Sequence, residues 1–597
     1  MATSRREGSL AATLWNRIRR GNVLMVATTL LIIIALVRLL WLQVIDAPRL
    51  AEEGLNNRMK TFTITAPRGP IVDAEGNVLA VSTQVVHVGV NQIKVRDYVH
   101  KEPKTGRILG AGPAEAARMI APILDQDPAQ LGGMMVGDST YRVLAKDLTP
   151  AQWREIADLR IPGIEPDYRS IRTYPNGNLA GNILGFVNKE GVASAGLELS
   201  FNKTLTGIPG KERIEVGASG SSIPTGVNEK EDAVPGSTVH LTILRDLQDV
   251  AQKAVQNSKD TFGASWAAAV VEEVGTGKIL AIADSDTVNP NEYWKSSAEN
   301  QGARSISAVY EPGSTGKLLT YAAAIDQGTV KPTTHIHNPS RYTTANGELI
   351  KDFSDHATEE RTVAGVLMKS YNTGTVQIGE TMSDQVRYEY FQRFGLGKTI
   401  DVGMPGQAAG ILVPPEKWDG RQKYTTMFGQ GYAVTLLQNV GVVQTLANKG
   451  VYVTPTLVAG TTDAKGTFHE GAKPSTHEVI SADSASQMLL MMEGVTQKGG
   501  TGVRGAVEGY RVAAKTGTAQ VAGPGGALTR TAGVFNAVIP ADNPRLAVSV
   551  VVYNPSSGFQ GGVVAAPVFK EIASFAVRYL GIPPSSSEPE LYPVEYK

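Results

Sequence analysis

At 597 residues the chain is too long for one compact domain and long enough for two or three. Its 42% hydrophobic and 19% charged residues are an ordinary globular mix, and 57 basic against 57 acidic residues give no net basic field of the kind nucleic-acid binding needs. Cysteine is absent, which excludes disulfides, thiolate nucleophiles and cysteine-based zinc sites.

Residues 1–22 read as a cytoplasmic tail and 23–45 as a transmembrane anchor. Val23 to Ile45 is apolar except for a few polar residues, with Arg38 its only charge, and at about 1.5 Å per residue it spans ~30 Å of hydrocarbon. Arg5, Arg6, Arg17, Arg19 and Arg20 precede it and Asp46, Glu52 and Glu53 follow, so the positive-inside rule places everything after Ile45 outside a cell membrane. Arg38 reads as a snorkelling side chain. Lys60 to Val90 alternates like strands, 113–160 reads as helical, and glycine and proline punctuate 175–236. The Pro235-Gly236 turn divides a pedestal, 46–235, from a second domain, 236–580. There Asp246 to Ser258 reads as a helix. Trp266 to Val274, Ile279 to Ala283, Arg511 to Ala519, Thr531 to Ile539 and Leu546 to Tyr553 read as strands, and Pro567 to Leu580 as a closing helix. Two strands early, three late and helices between predict an α+β domain with one mainly antiparallel sheet flanked by helices. The Pro- and Ser-rich segment 581–597 reads as a flexible tail.

Three short motifs stand in order in the second domain. Ser314-Thr315-Gly316-Lys317 is S-x-x-K, Ser370-Tyr371-Asn372 is S-x-N, and Lys515-Thr516-Gly517-Thr518 is K-T-G-T. Each alone is weak: Ser200 to Lys203 also matches S-x-x-K, and Lys104 to Gly106 matches K-T-G. The decoys fail on order and context. Ser200 is followed by Gly207, Pro209 and Gly210, whereas L-L-T-Y-A-A-A-I-D-Q runs from Lys317 to Gly328. Helix spacing puts Lys317 one turn from Ser314, where a neutral amine activates the hydroxyl. A helix N-terminus and a second lysine, Lys515, disfavour the charge on Lys317. Ser370 is the expected proton relay to the leaving amine, and Asn372 the amide that orients Lys317 and substrate. Lys515 with the hydroxyls of Thr516 and Thr518 is expected to hold a substrate carboxylate, with Gly517 admitting its backbone. The N–H groups of Ser314 and Thr518 are the candidate oxyanion hole.

At this point the chain resembles the class B penicillin-binding proteins over nearly its whole length. Ala66 to Ala80, the R-x-Y-P, G-F-V and G-L-E phrases at Arg172 to Pro175, Gly185 to Val187 and Gly196 to Glu198, Tyr310 to Gly313, Gly429 to Gly431, Ala513 to Gln520 and Ala565 to Phe569 all carry the resemblance. It implies a penicillin-binding, serine-type transpeptidase domain on a dimerisation-type pedestal. Ser314 would attack D-Ala-D-Ala of peptidoglycan stem peptides, D-Ala would leave, and a neighbouring stem-peptide amine would take the acyl group. It also implies acylation by β-lactams, no cofactor, and a SEDS-type glycan polymerase with other division proteins as partners. Leu159 to Gly163 and the short link after the anchor resemble the cell-division branch, and the elongation branch is the runner-up. A D,D-carboxypeptidase and a non-catalytic wall-synthesis scaffold remain alternatives. Two positions depart from the pattern: Tyr371 replaces the aspartate of S-D-N, and Gly316 stands where division enzymes often carry a bulkier residue.

Other signals are set aside. Gly500-x-Gly502-x-x-Gly505 follows an apolar helical run rather than a strand, so it reads as a loop. His335 and His337 lack a nearby carboxylate in the sequence and read as a surface strand, with no metal site. His356 reads as a loop or cap residue.

Overall fold

The structure is a computed structural model describing residues 4–215, 226–522 and 528–596. Its contacts divide the chain into two compact units, Met1–Thr65 with Pro209–Val234 and Ala66–Ile208 with Pro235–Lys597.

In the first unit a helix, Ser4–Leu40, continues into a π turn, Trp41–Ile45. Its 28-residue stretch Ile18–Ile45 is long and apolar enough to cross a membrane. A second helix, Ala47–Arg58, leads into a three-stranded antiparallel sheet in which Gly210–Glu215 lies between Met59–Ile64 and Asn228–Glu231.

The second unit carries the rest of the expected pedestal together with the expected catalytic domain. One apolar core holds residues from both sides of Pro235: Ile71, Leu79, Tyr174 and Leu197 cluster with Val239, Trp266 and Val270. Within 113–160 the helices Gly112–Leu124, Pro128–Met135 and Pro150–Asp158 are interrupted by a strand, Arg142–Leu148. That strand pairs with Val78–Val90, and tertiary pairing overrides the helical composition. The R-x-Y-P and G-L-E phrases meet at a buried ion cluster. Arg68 and Arg172 each donate to Glu198 at 2.6 Å, and the Tyr174 hydroxyl reaches it at 3.3 Å.

The sheet that positions the motifs has five strands: β1 (Trp266–Glu273), β2 (Ile279–Asp284), β3 (Ala513–Ala522), β4 (Leu528–Ile539) and β5 (Leu546–Tyr553). Their order is β2-β1-β5-β4-β3, every pair antiparallel, as the sequence predicts. Ala267, Ala269 and Val271 pack with residues of the helices Arg245–Phe262 and Ala566–Tyr579, while Ala268 and Val270 face a core that includes residues of Lys317–Asp326 and Leu436–Ala447. With both faces covered, the strands read as unbroken apolar runs.

The segment after Gly581 is not free, despite its composition. Thr362 donates its N–H to Val594 O at 3.3 Å, and the Tyr596 N–H donates to Glu360 O at 3.1 Å. Tyr592 packs against the core.

Candidate active site

Ser314 sits in a 3-10 turn, Gly313–Gly316, that runs directly into the helix Lys317–Asp326. The turn is pressed onto the edge strand β3. A Cβ on Gly313, whose φ is +54°, would lie 2.7 Å from Thr518 O, so glycine lets the turn that carries Ser314 approach the Thr518 backbone. The same absence at Gly316 makes room for a buried phenol, since a Cβ there would lie 2.2 Å from Tyr432 Oη.

Lys317 is wholly buried, one turn from the half-buried Ser314. Its Nζ donates to the carbonyl of Ser370 and, at 3.4 Å, to Ser370 Oγ. Lys515, also wholly buried, donates to that same Oγ at 2.8 Å and to Thr516 O at 2.9 Å. The Ser370 hydroxyl therefore lies between two lysine amines. It reaches that place because Ser370 ends the helix Val363–Lys369 in the left-handed region, with φ of 63°, a conformation uncommon for a non-glycine residue. Burial pushes the Lys317 ammonium down to about 7, against the pull of Asp352. Burial and the charge of Lys317 together hold Lys515 well below the ordinary lysine range. Burial, rather than the helix terminus or Lys515, thus leads the shift at Lys317. In this resting geometry both amines point at Ser370 and backbone oxygens rather than at Ser314 Oγ; such catalytic contacts commonly tighten only on substrate binding.

Two expected contacts differ. The Asn372 amide donates to Lys351 O at 3.0 Å rather than to Lys317. Asn372 starts the helix Asn372–Gly379, which aims its side chain at the preceding strand Leu349–Lys351. Strand alternation puts Lys515 and Gly517 on one face of β3 and Thr516 and Thr518 on the other. Thr516 Oγ1 meets Thr501 Oγ1 at 2.7 Å, and Thr518 Oγ1 accepts the Gly561 N–H at 3.4 Å. A ligand touching Lys515 and both threonines must lie across the open edge of β3.

The sequence reading did not single out Asp352. Its Oδ1 accepts the N–H groups of Asn372 and, at 3.0 Å, Thr373, while Oδ2 accepts Thr373 Oγ1 at 3.0 Å and meets His356 Nε2 at 2.9 Å. No periodicity marks D-F-S-D-H, so only the fold reveals it. His335 and His337 do have a carboxylate neighbour: Glu360, on the paired strand Glu359–Thr362, meets His337 Nδ1 at 2.7 Å and also the His335 ring. Among the described residues no group of three or more His, Asp or Glu forms a metal-binding set. A cavity of about 610 Å³ lined by Arg393, Lys398, Tyr452 and His477 contains none of the motif residues.

Antiparallel sheet, helix-borne serine and two lysines sharing one hydroxyl define a serine acyltransferase of the penicillin-binding type. Comparison with known proteins agrees. Residues 267–574 match the penicillin-binding protein transpeptidase domain and 63–241 the penicillin-binding protein dimerisation domain. The chain belongs to the class B penicillin-binding proteins. It is 33% identical to penicillin-binding protein PbpB of Mycolicibacterium smegmatis over 95% of this chain and 91% of that one. It is 32% identical to peptidoglycan D,D-transpeptidase FtsI of Escherichia coli K12 over 92% and 90%. Among solved structures, a peptidoglycan synthetase from Bifidobacterium adolescentis superposes with a TM-score of 0.71 at 36% identity, covering 90% of this chain and all of that one. Penicillin-binding protein 3 of the tubercle bacillus, complexed with aztreonam, gives 0.69 at 27%, covering 89% and 99%.

Proposed function

We propose that this protein is a septal peptidoglycan D,D-transpeptidase that works through a Ser314 acyl-enzyme and is acylated by β-lactams. The observation that carries the reading is the Ser370 hydroxyl held between Lys515 and Lys317, the lysine one turn after Ser314. Ser314 Oγ attacks the penultimate D-Ala carbonyl while the neutral Lys317 amine takes its proton. The tetrahedral oxyanion is held by the N–H groups of Ser314 and Thr518. Ser370, backed by Lys515, passes a proton to the departing D-Ala nitrogen, and the C–N bond breaks. An amine of a neighbouring stem peptide then attacks the ester, gives up its proton through the same groups, and releases Ser314. Lys515, Thr516 and Thr518 hold the terminal carboxylate at the β3 edge, with Gly517 and Asn372 lining the path of the substrate backbone.

The apolar stretch Ile18–Ile45 and the arginines before it support a single-pass protein with its N-terminus in the cytoplasm and its catalytic portion outside. The similarity to FtsI and PbpB supports the division role, and with it a SEDS-type polymerase and other division proteins as partners. The β-lactam complex of a structural relative supports the drug reading. The test is product formation. Given uncrosslinked glycan carrying pentapeptide stems, the protein should release D-Ala and form crosslinked dimers, and Ser314→Ala should do neither. Release of D-Ala without dimers would make it a carboxypeptidase.

A further inference from the structure

We propose that Asp352 and His356 form a positioning pair behind the S-x-N turn, holding Ser370 and Asn372 in place with a carboxylate whose charge His356 modulates. The proposal rests on the transpeptidase reading and adds two residues outside its three motifs.

The geometry carries it. The Asp352 side chain is 1% exposed yet has five hydrogen-bond partners: the Asn372 and Thr373 N–H groups, Thr373 Oγ1, Asn338 Nδ2 at 3.3 Å and His356 Nε2. Two of these are free N–H groups at the start of the helix Asn372–Gly379, so Asp352 caps that helix from another segment. The residue before the capped turn is Tyr371, and before that stands Ser370. Fixing the first turn of this helix therefore fixes the left-handed serine between the two lysines. His356 closes the arrangement from outside. Its ring stacks on Tyr371 at 4.4 Å, its Nδ1 meets Ala357 O at 2.7 Å, and its Nε2 meets Asp352. With Nδ1–H committed to a carbonyl, a second proton on Nε2 gives a cation directly against the carboxylate.

The electrostatics follow. Asp352 is the negative group that acts on Lys317 against burial. The other groups in the neighbourhood are Lys515 from β3, Tyr321 from the Lys317 helix, and Lys351 beside Asp352. Around His356 they are Asp355, paired with Arg341, and Glu359, paired with Arg361 and Tyr371. Burial is the largest influence and works against the His356 cation, but the hydrogen bonds to Asp352 and Ala357 O and the charges of Asp352 and Glu359 together outweigh it, and the net direction is upward. When His356 is protonated it offsets Asp352, and Lys317 is freed to lose its proton at lower pH. Neutral His356 leaves Asp352 at full strength. The pair thus flattens the response of Lys317 to acidification, and His356 packs on Tyr371, the residue that departs from S-D-N in the middle motif.

The test is the pH dependence of acylation of the full-length protein by a fluorescent penicillin, with Thr373→Val as the control for lost hydrogen bonding without lost charge. Asp352→Asn should move the acidic limb to lower pH by roughly half a unit or more, and His356→Gln should move it to higher pH. Thr373→Val should leave the limb in place. Opposite displacements in the two variants support the pair. Limbs coincident with the parent protein, whatever the loss of Tm, would overturn it and leave Asp352 a structural cap. If Asp352→Asn does not fold, the direction of the His356→Gln limb alone decides: upward supports the pair, unmoved or downward overturns it. A failure of the transpeptidase reading looks different, because label would then appear away from Ser314 in the unmutated protein.

Discussion

The two lysines of the cleft are chemically alike but differently placed. Lys317 is one turn from Ser314 and its amine is shifted to about 7, so near neutral pH an appreciable fraction is an uncharged base. Lys515 is held between Ser370 and its own strand, and its ammonium is disfavoured too. Lys317→Arg stays protonated. Acylation should fall by roughly 10²- to 10⁴-fold or more, while weak binding of a carboxylate ligand survives. Lys515→Arg should retain measurable acylation. Stopped-flow acylation resolved into binding and chemical steps checks both, and equal chemical steps in the two variants would contradict the assignment. The sign of the pH effect follows from the same amine. As the proposed base Lys317 acts only when neutral, so the acylation rate should fall as pH drops through about 7. The serine–lysine spacing was legible because i and i+3 share a helix face. The Ser370–Lys515 contact spans 145 positions and was suggested only by motif order. Asp352 was illegible for the same reason: the Asn372 and Thr373 N–H groups that it caps lie 20 and 21 positions away across a turn that no local pattern announces.

At the scale of elements, β3 matters because it is an edge. Its partner β4 covers one side, and the other side is free for the Ser314 turn and for a substrate backbone. The five strands were legible because a sheet covered on both faces leaves long apolar runs. The strand Arg142–Leu148 was missed because R-V-L-A-K-D-L lies amid helix-forming residues and is fixed by its pairing partner. The R-x-Y-P and G-L-E phrases acquire a physical reason in the Arg68–Glu198–Arg172 cluster. Glu198 is wholly buried, so Glu198→Ala leaves two guanidiniums without their carboxylate and should cost about 3–5 kcal/mol. Denaturant unfolding should show that loss; a loss below about 1 kcal/mol, the range of an exposed pair, would mean that the cluster is effectively solvated.

At the scale of the molecule, the C-terminal strap ties the end of the chain to the element that presents Ser370. Leu591, Tyr592 and Val594 lie against Ala364 and Met368 of the helix Val363–Lys369. Ending the chain after Glu590 should lower Tm and slow acylation together, whereas an unchanged acylation rate would show that the strap does not hold that helix. The composition of this segment pointed away from docking, since proline, serine and glutamate are enriched in segments that stay free, and only the partners across the fold reveal it.

The most direct test of the whole account is the mass of the protein after incubation with a penicillin, followed by peptide mapping. The account predicts one adduct per chain, on the peptide that carries Ser314, and none on Ser314→Ala. An adduct on the Ser200 peptide, or undiminished labelling of Ser314→Ala, would contradict it.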